Sequence, residues 1–437
     1  GDMAAIGPEG SKPWRKQTSA AATRLLTEYS EFQKKLPDGV YAQPVSEEDL
    51  TQWDALIVGP AHSPYGFGFF EFRLMFSEEY PSNPPRVVIL TTDGGKTRFN
   101  PNLYSCGKVC LSILGTWRAE AGEQWSAAQS AQSVLVSIQS LMDDMPYHNE
   151  PGYEKGSAKA QSARSAQACE QYNLKILHET LRVSICDHLE AALDKTSKTP
   201  FAELQKMLFM QHYARYLELA TKHQDETGPF VRVEFEFDGN TMDGEFNFPT
   251  ILERLKVIHD RIERETVLWS QAGQQLTADG DSFECQQMHV AHDRVQRDKL
   301  EDRGIGTSYQ PDNLFVWDVS IYGGLQGTPW DNGMFSARMI FPRDFPDNPP
   351  RIKFETEVFH PHISKEGYPC LKLSQLDAQS ISSTLIALQR VLKDDPDPNP
   401  CTWANAEAAE LYFNQGEAGV QEYLRRVRRC AQRSMDG

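Results

Sequence analysis

The chain has 437 residues, of which 40% are hydrophobic, and a formal net charge of -17 at pH 7. This length allows two or three domains with sizeable cores. The negative charge disfavours nucleic acid and anionic membrane surfaces as partners, because like charges repel. No run approaches the ~20 consecutive apolar residues that a membrane helix requires. The composition therefore predicts a soluble globular protein with neither a nucleic-acid nor a membrane partner.

Eight cysteines are spread through the chain, too sparsely for a disulfide framework. This usage favours a reducing compartment, which predicts a cytoplasmic protein, with the nucleus as a second location. The closest pair, Cys106 and Cys110, has no second pair at zinc-finger spacing. No metal site is therefore predicted.

The first predicted element is an amphipathic helix over residues 15–36, with Leu25, Tyr29 and Phe32 on one face. Runs rich in β-branched and aromatic residues follow, separated by Gly/Pro turns, and predict an antiparallel meander. The four runs are 40–42, 53–58, 69–76 and 86–92. Residues 80–85 read Tyr-Pro-Ser-Asn-Pro-Pro, and three prolines predict an exposed loop, since proline cannot sit in a central strand.

Residues 98–114, RFNPNLYSCGKVCLSIL, carry the most chemically informative pattern of the chain. An Asn-Pro-Asn turn ends at Asn102, eight positions ahead of Cys110. Such a turn fixes the backbone direction, and an asparagine amide can donate a hydrogen bond to a nearby reaction centre. Cys110 is then a candidate nucleophile. We expect it in a shallow, exposed groove, because the reactivity of a thiolate depends on access.

The region after Cys110 is predicted to be mainly helical. Residues 128–142 carry an apolar stripe at helical spacing, as do segments within 157–269, which predicts two or three further helices. The alternating run 230–237 fits either a strand or a charged loop. Residues 270–280 are polar and rich in Gly and Ala, which is typical of a flexible connector.

The last third of the chain repeats the first. A predicted helix over 283–300 precedes strand-like runs at 313–321, 334–341 and 351–355, and further helices are predicted at 380–392, 404–413 and 419–431. His362 precedes Cys370 by the same eight positions that separate Asn102 from Cys110. The two Pro-Pro pairs lie 265 positions apart and the two cysteines 260 apart. These matches indicate a duplicated domain.

Both cysteine segments resemble the active-site segment of ubiquitin-conjugating enzymes, whose signature is His-Pro-Asn, a short flap and the thioester-forming cysteine. The resemblance implies an α+β fold with two ubiquitin-conjugating folds, each a four-stranded antiparallel meander with flanking helices, joined by a mainly helical extension. The strings SIQSL and PYHNEPG and the insert 115–124 resemble the Z-type class, over roughly residues 15–269. The predicted domains are 15–156 (first conjugating domain), 157–269 (helical extension packed on the first domain), 270–282 (linker) and 283–437 (second, divergent conjugating domain).

The resemblance also implies roles for individual residues. Cys110 would accept ubiquitin, or a ubiquitin-like protein, as a thioester, and Cys370 is a candidate for a second thioester site. Asn102 and His362 would donate a hydrogen bond to the oxygen on which negative charge develops. Glu150 falls where the family has an acidic gate residue for the acceptor lysine. The family binds its activating enzyme through a basic first helix, and the basic residues here are Lys12, Arg15, Lys16 and Arg24.

The implied partners are ubiquitin or a ubiquitin-like protein, a ubiquitin-activating enzyme and a ubiquitin ligase. For the Z-type class, the activating enzyme is the non-standard one. Ser82 and Ala127 stand where many family members have a large apolar residue and a proline in their ligase-facing loops, which argues against ordinary RING-ligase pairing. No cofactor is implied, because the upstream activating enzyme uses the ATP.

Two other interpretations compete with a pair of thioester sites. In the second copy, histidine replaces asparagine, and only 13 positions separate Cys370 from Ser383, against 23 between Cys110 and Ser133. Residues 283–437 would then be a non-catalytic ubiquitin-binding or scaffolding module. A cysteine protease with His148 as its base is disfavoured, because the spacing matches no protease signature.

Overall fold

The computed structural model describes residues 19–117, 122–237, 241–371 and 380–436. The chain forms two compact units. The first contains the described residues up to 184 together with 227–246, and the second contains 185–226 and 247 onwards. Each unit holds a four-stranded antiparallel sheet with helices packed against it, which confirms the predicted α+β fold. Among the described residues, no helix is long and apolar enough to cross a membrane.

The first unit is built around one meander. Its strands pair in the order β1-β2-β3-β4, and β5 pairs with β6 in a separate two-stranded sheet. The elements are α1 (Ser19–Lys34), β1 (Val40–Ser46), β2 (Asp49–Val58), β3 (Phe69–Met75), β4 (Arg86–Ile89), α2 (Ala131–Leu141), α3 (Ala163–Glu179), β5 (Thr227–Pro229) and β6 (Glu245–Asn247). A π-helical segment, Thr180–Asp187, continues α3.

The second unit has the same meander and more helices. Its strands pair in the order β7-β8-β9-β10. The elements are α4 (His188–Leu193), α5 (Ala202–Lys222), α6 (Phe248–Asp279), α7 (Phe283–Arg297), β7 (Ile305–Gln310), β8 (Asn313–Ile321), β9 (Phe335–Ile340), β10 (Arg351–Phe354), α8 (Ile381–Lys393), α9 (Ala406–Ala409) and α10 (Gly416–Arg433). Strand β7 was not predicted from the sequence, because its residues, IGTSYQ, include few of the apolar residues that mark a strand.

The two sheets bury equivalent tryptophans, which confirms the duplication at the level of packing. Trp53 and Trp317 are both fully buried. Each donates its indole N–H to a backbone carbonyl three residues earlier, at 3.1 Å for Leu50 and 2.9 Å for Leu314. Each also contacts a phenylalanine edge-on or tilted, with ring centroids 5.3 and 4.8 Å apart. A buried indole needs such a hydrogen-bond partner, and the two copies supply it in the same way.

The run 230–237, for which the sequence left a strand or a charged loop open, is neither a strand nor a solvent-exposed loop. None of these residues lies in a strand, yet Phe230, Val233 and Phe235 are buried in the core of the first unit. Glu236 accepts a hydrogen bond from the fully buried Lys175 of α3. The segment is therefore an irregular chain that covers α3, and a buried ion pair fixes it there.

The predicted linker is helical. Helix α6 continues through Asp279, so residues 270–279 belong to a regular element and not to a flexible connector. A Cβ on Gly273 would lie 2.5 Å from the Phe315 Cβ, which shows how closely the helix approaches β8. The Asn313 amide donates to the Ser270 carbonyl at 2.8 Å, and the Thr277 hydroxyl accepts from the Leu314 N–H at 3.0 Å. Small and polar residues here serve close helix–strand packing.

Most of the helical extension belongs to the second unit, whereas the sequence predicted that it packs on the first domain. Residues 185–226 and 247–269 group with the second sheet. Arg351, at the start of β10, explains the attachment. Its guanidinium pairs with Glu203 of α5 at 3.0 Å and with Glu265 of α6, and stacks 3.9 Å from the Trp269 ring. Lys206 pairs with the same two carboxylates. Nothing local in the extension reveals these partners.

We expect Arg351→Met to destabilise the second unit. The change leaves two half-buried carboxylates with one cation, Lys206, in place of two. The expected loss is about 2 kcal/mol, which lowers the melting temperature of a unit of this size by about 5 °C. Differential scanning calorimetry measures the shift, and hydrogen exchange should accelerate in α6. Arg338→Met is the matched control, because Arg338 lies on β9 in a more exposed pair with Asp318 and Glu355. Equal shifts in both variants would contradict this account.

Candidate active site

The flap that carries Cys110 is closed by backbone hydrogen bonds. The Cys110 N–H donates to the Asn102 carbonyl at 2.9 Å, and the Tyr104 N–H donates to the Lys108 carbonyl at 3.0 Å. Gly107 turns the flap at a φ of +94°, in the region that favours glycine. Its carbonyl accepts from the Ile89 N–H at 2.9 Å, which joins the flap to β4. The position of Cys110 is therefore set by the sheet through a short, closed loop.

The second copy has the same flap. The Cys370 N–H donates to the His362 carbonyl at 2.7 Å, and the Ser364 N–H donates to the Tyr368 carbonyl at 2.9 Å. Gly367 has a φ of +100°, and its carbonyl accepts from the Phe354 N–H of β10 at 2.8 Å. The eight-residue spacing thus encodes one backbone structure twice, as the repeated pattern predicts.

Cys110 does not lie in an exposed groove, and that expectation was wrong. Its residue is only 1% exposed, although it is not a member of the hydrophobic cluster of the first unit. Polar groups surround the thiol instead. Tyr104, Lys108 and Arg98 are close enough to act on its charge. Cys370 is half-buried.

Burial is the dominant influence on the Cys110 thiol. Removal from water raises its pKa above the ordinary value, because the thiolate is the form that loses hydration. Lys108, the Tyr104 hydroxyl and Arg98 each act in the opposite direction, and the nearby Cys106 adds to the increase. The thiol is therefore the main form of Cys110 at neutral pH, and the neighbouring groups only partly offset the effect of burial on its pKa.

Asn102 lies beside Cys110 but is committed to the backbone. Its side-chain amide donates to the Cys110 carbonyl at 2.8 Å, and its own N–H donates to the Asn100 side chain at 2.9 Å. Asn102 is 4% exposed, and its Oδ1 has no hydrogen-bond partner among the described residues. The amide is thus close to the reaction centre, and it must exchange its present acceptor before it can stabilise a new oxyanion.

Arg98 links several residues of the site, and sequence reasoning missed it. Its guanidinium stacks 4.4 Å from the centre of the Tyr104 ring, donates to the Pro101 carbonyl at 2.6 Å and lies 3.9 Å from the Glu150 carboxylate. Burial raises the pKa of Glu150, and Arg98 partly offsets that increase. In the sequence, the one feature that could have pointed to this role is that Arg98 stands just before an otherwise uncharged turn.

Thr116 is a second residue that the sequence did not single out. It is the second residue of the insert that distinguishes the first copy, and its hydroxyl donates to the Val109 carbonyl at 2.8 Å. The same oxygen accepts from the Leu111 N–H at 3.0 Å. Thr116 therefore holds the backbone on both sides of Cys110. Part of the predicted insert, 118–121, lies outside the described residues.

The His362 side chain is engaged on both ring nitrogens. Its Nδ1 lies 2.9 Å from the Thr402 carbonyl, and its Nε2 accepts from the Asp397 N–H at 2.7 Å. These partners assign the proton to Nδ1 and leave Nε2 as an acceptor. In this arrangement, the imidazole joins the flap to the chain around Thr402 and does not point a donor at Cys370.

Of the predicted docking residues, Lys12, Arg15 and Lys16 lie outside the described residues. Arg24 lies on α1, where it donates to Glu28 at 2.5 Å and to the Gln129 carbonyl at 2.8 Å. Glu28 is 7% exposed and also accepts from the Tyr80 hydroxyl and the Ala131 N–H. Arg24 therefore belongs to a network that joins α1, the proline-rich loop and the start of α2.

Two further histidines bear on the alternatives. The His148 ring lies 2.7 Å from the Tyr153 carbonyl on Nδ1 and 3.7 Å from the Cys169 sulfur on Nε2, so its two nitrogens are directed away from Cys110.

In the second unit, ligand atoms of His259, Glu263 and Glu366 lie within 4.8 Å of one another. The His259 ring pairs with Glu366 at 2.9 Å, and Glu263 accepts from the Tyr368 hydroxyl. These contacts join α6 to the flap of Cys370.

The comparisons with known proteins agree with this geometry. A family model described as ubiquitin-conjugating enzyme matches residues 24–175 and 289–431, one segment for each flap. The chain therefore belongs to the ubiquitin-conjugating enzyme family, and it contains two family segments.

Particular relatives refine the match. The ubiquitin-conjugating enzyme E2 Z of Xenopus tropicalis is 37% identical over 260 residues, which cover 59% of this chain and 78% of the relative. The human E2 Z is 37% identical over 264 residues, covering 58% and 68%. A human protein described as a dual E2 ubiquitin-conjugating enzyme/E3 ubiquitin-protein ligase, BIRC6, is 40% identical over 178 residues, which are 39% of this chain and 4% of that protein. The resemblance of the first part of the chain to the Z-type class is confirmed.

The raised pKa of Cys110 predicts how its reactivity depends on pH. Below that pKa, the thiolate fraction rises tenfold per pH unit, so alkylation of Cys110 by iodoacetamide should increase roughly tenfold per unit from pH 6 upwards and level off only above the ordinary cysteine pKa of about 8.5. Mass spectrometry of the tryptic peptide 109–118 measures the rate for this cysteine alone. The same chain in urea is the control, and there the profile should bend at the ordinary cysteine pKa of about 8.5. A folded profile that levels off at lower pH than the unfolded one would contradict this expectation.

Proposed function

We propose that Cys110 accepts ubiquitin or a ubiquitin-like protein from an activating enzyme as a thioester and transfers it to a lysine or to a ligase. The flap that binds the Cys110 backbone to Asn102 is the observation that carries this proposal. The similarity to E2 Z supports the non-standard activating enzyme as the donor. The activating enzyme uses the ATP, so this chain needs no cofactor of its own. A cytoplasmic or nuclear location follows from the same pathway.

The charging step exchanges one thioester for another. The Cys110 thiolate attacks the carbonyl carbon of the incoming thioester, an S–C bond to Cys110 forms, and the donor sulfur leaves as a thiolate that takes a proton. The two bonds are chemically equivalent, so little free energy is needed. Burial keeps the thiolate fraction low, whereas the charges of Lys108 and Arg98 raise it. The thiolate is the form that attacks the thioester.

The discharge step transfers the acyl group to an amine. The amine nitrogen attacks the thioester carbon, negative charge develops on the carbonyl oxygen, and the Cys110 sulfur leaves. Asn102 would turn its amide from the Cys110 carbonyl to that oxygen. Glu150, whose carboxyl has a raised pKa, would orient the incoming lysine and receive its proton. Arg24, Lys12, Arg15 and Lys16 remain the proposed docking residues for the activating enzyme.

The second domain has two candidate functions. Its flap has the same backbone as the first, which supports Cys370 as a second thioester site. The engagement of both His362 nitrogens with backbone groups supports the alternative, a non-catalytic ubiquitin-binding or scaffolding module. An oxyanion donor at Cys370 would require His362 to break one of those contacts.

Cysteine variants distinguish the two sites. The chain is incubated with activating enzyme, ATP and ubiquitin and run on a non-reducing gel. We expect a thiol-sensitive adduct that disappears in Cys110→Ala and persists in Cys370→Ala. Cys106→Ala is the control, since Cys106 is an exposed cysteine on the same flap, and it should charge normally. An adduct that persists in Cys110→Ala and is lost when Cys370→Ala is added would assign a second thioester to Cys370, and an adduct lost in Cys370→Ala alone would contradict the assignment to Cys110. No adduct with either the standard or the non-standard activating enzyme would contradict the proposal.

Asn102→Ala should affect discharge more than charging. Loss of one oxyanion donor typically costs about 100-fold or more in rate, so discharge to free lysine should slow by about 100-fold while the thioester still forms. Single-turnover chase of the charged enzyme measures this. Asn173→Ala is the matched control, because the Asn173 amide also donates to a backbone carbonyl, that of Asp144 at 2.8 Å. Equal slowing of charging and discharge would assign Asn102 a structural role only.

A further inference from the structure

The second unit contains a pocket that the proposed conjugation chemistry does not use. Helices α5 and α6 form one side of it. Strands β9 and β10, the proline-rich loop between them, the flap of Cys370 and the start of α8 form the rest. All the lining residues belong to the second unit, so the pocket lies within one compact body.

The lining is mainly apolar and includes three methionines. Met207 and Met210 belong to α5, and Met339 belongs to β9. Met210 and Met339 are buried, whereas Met207 is half-buried. Methionine side chains are unbranched and adapt to irregular apolar partners. An apolar lining with few polar groups is typical of a small-molecule site, in which the polar groups fix the orientation of the ligand.

A buried polar side chain of the lining has an unused acceptor. Gln211 of α5 is only 2% exposed, and its Oε1 atom has no hydrogen-bond partner among the described residues. A buried amide oxygen is costly to leave without a donor, and such groups are rare in folded proteins. A ligand with an N–H or O–H group would supply the missing donor.

The charged groups at the pocket are already matched. Arg351 and Lys206 line it, and each pairs with Glu203, which also lines it, and with Glu265. The two cations and two carboxylates of this cluster balance, so they leave no net charge to attract an ionised ligand. A charged ligand would also lose its hydration on entry. The pocket therefore favours a neutral molecule.

The pocket adjoins the flap of Cys370. Pro369 and Leu371, the sequence neighbours of the cysteine, both line it, as does Tyr368. A bound molecule would therefore contact the chain on both sides of Cys370.

We propose that this pocket binds a small, neutral, mainly apolar molecule that donates one hydrogen bond to the Gln211 Oε1 atom. The apolar part of the ligand packs against the methionines, and its single N–H or O–H group pairs with the amide. The bound ligand contacts the flap of the second conjugating domain. This binding is independent of thioester formation at either cysteine.

Indole and 1-methylindole test the proposal, because their ring systems are the same and only indole has an N–H donor. A ligand-observed NMR titration of the full chain measures the dissociation constant of each probe. We expect indole to bind about tenfold more tightly, which is a typical effect of one hydrogen bond to a buried acceptor. Equal affinities, or no binding of indole, would overturn the proposal without the use of any variant.

Three variants locate the bound probe. Gln211→Met removes the acceptor and keeps the length of the side chain, so it should weaken indole about tenfold and leave 1-methylindole unchanged. Gln205→Met is the matched control, since Gln205 is a fully buried glutamine of α5 outside the lining, and it should preserve the preference for indole. Met207→Trp should fill the pocket and weaken both probes at least tenfold. Thermal melting confirms that each variant is folded. Indole binding that is unchanged in folded Gln211→Met and Met207→Trp would overturn the inference, because the probe would then bind elsewhere.

Discussion

The hydrogen bond from the Cys110 N–H to the Asn102 carbonyl is the constraint on which the first site depends. It closes a flap whose glycine is joined to β4, so the cysteine, the asparagine and the tyrosine between them are held in one frame. Because the frame is backbone, it leaves the side chains of the flap available for chemistry. Cys110 is buried in this frame, and its thiol carries a raised pKa. Reactivity depends on how the surrounding groups offset that burial.

The two copies show how one backbone supports different chemistry. In the first flap, Arg98 stacks on Tyr104, and the charges of Arg98 and Lys108 favour the thiolate of Cys110. In the second, the equivalent side chains make contacts elsewhere, and Tyr368 and Glu366 are attached to Glu263 and His259 of α6. That flap is therefore held by the helical extension. The family resemblance applies to both segments, but the contacts around each cysteine differ, so activity at one site does not establish activity at the other.

Although the chain carries a net negative charge, its buried cations are paired with particular carboxylates. Arg351 and Lys206 each bridge Glu203 and Glu265, and this cluster joins α5 and α6 to the second sheet. Half-buried ion pairs of this kind require both partners, since an isolated charge in such a place is costly. Most of the extension and the second conjugating domain consequently form one compact unit. In the first unit, the buried pair of Lys175 and Glu236 plays the same role for the irregular segment 230–237.

The sequence by itself determined the first meander, three of the four strands of the second, the duplication and the cysteine at the end of each flap, because strand periodicity, proline turns and an eight-residue spacing are local properties of the chain. It did not determine that Cys110 is buried, that the Asn102 amide faces a backbone carbonyl, or that Arg98 stacks on Tyr104. It was wrong about the linker, where Gly273 packs on Phe315, and about the partner of most of the extension. Each of these depends on contacts between residues far apart in the chain or on side-chain directions, and only the tertiary structure fixes those.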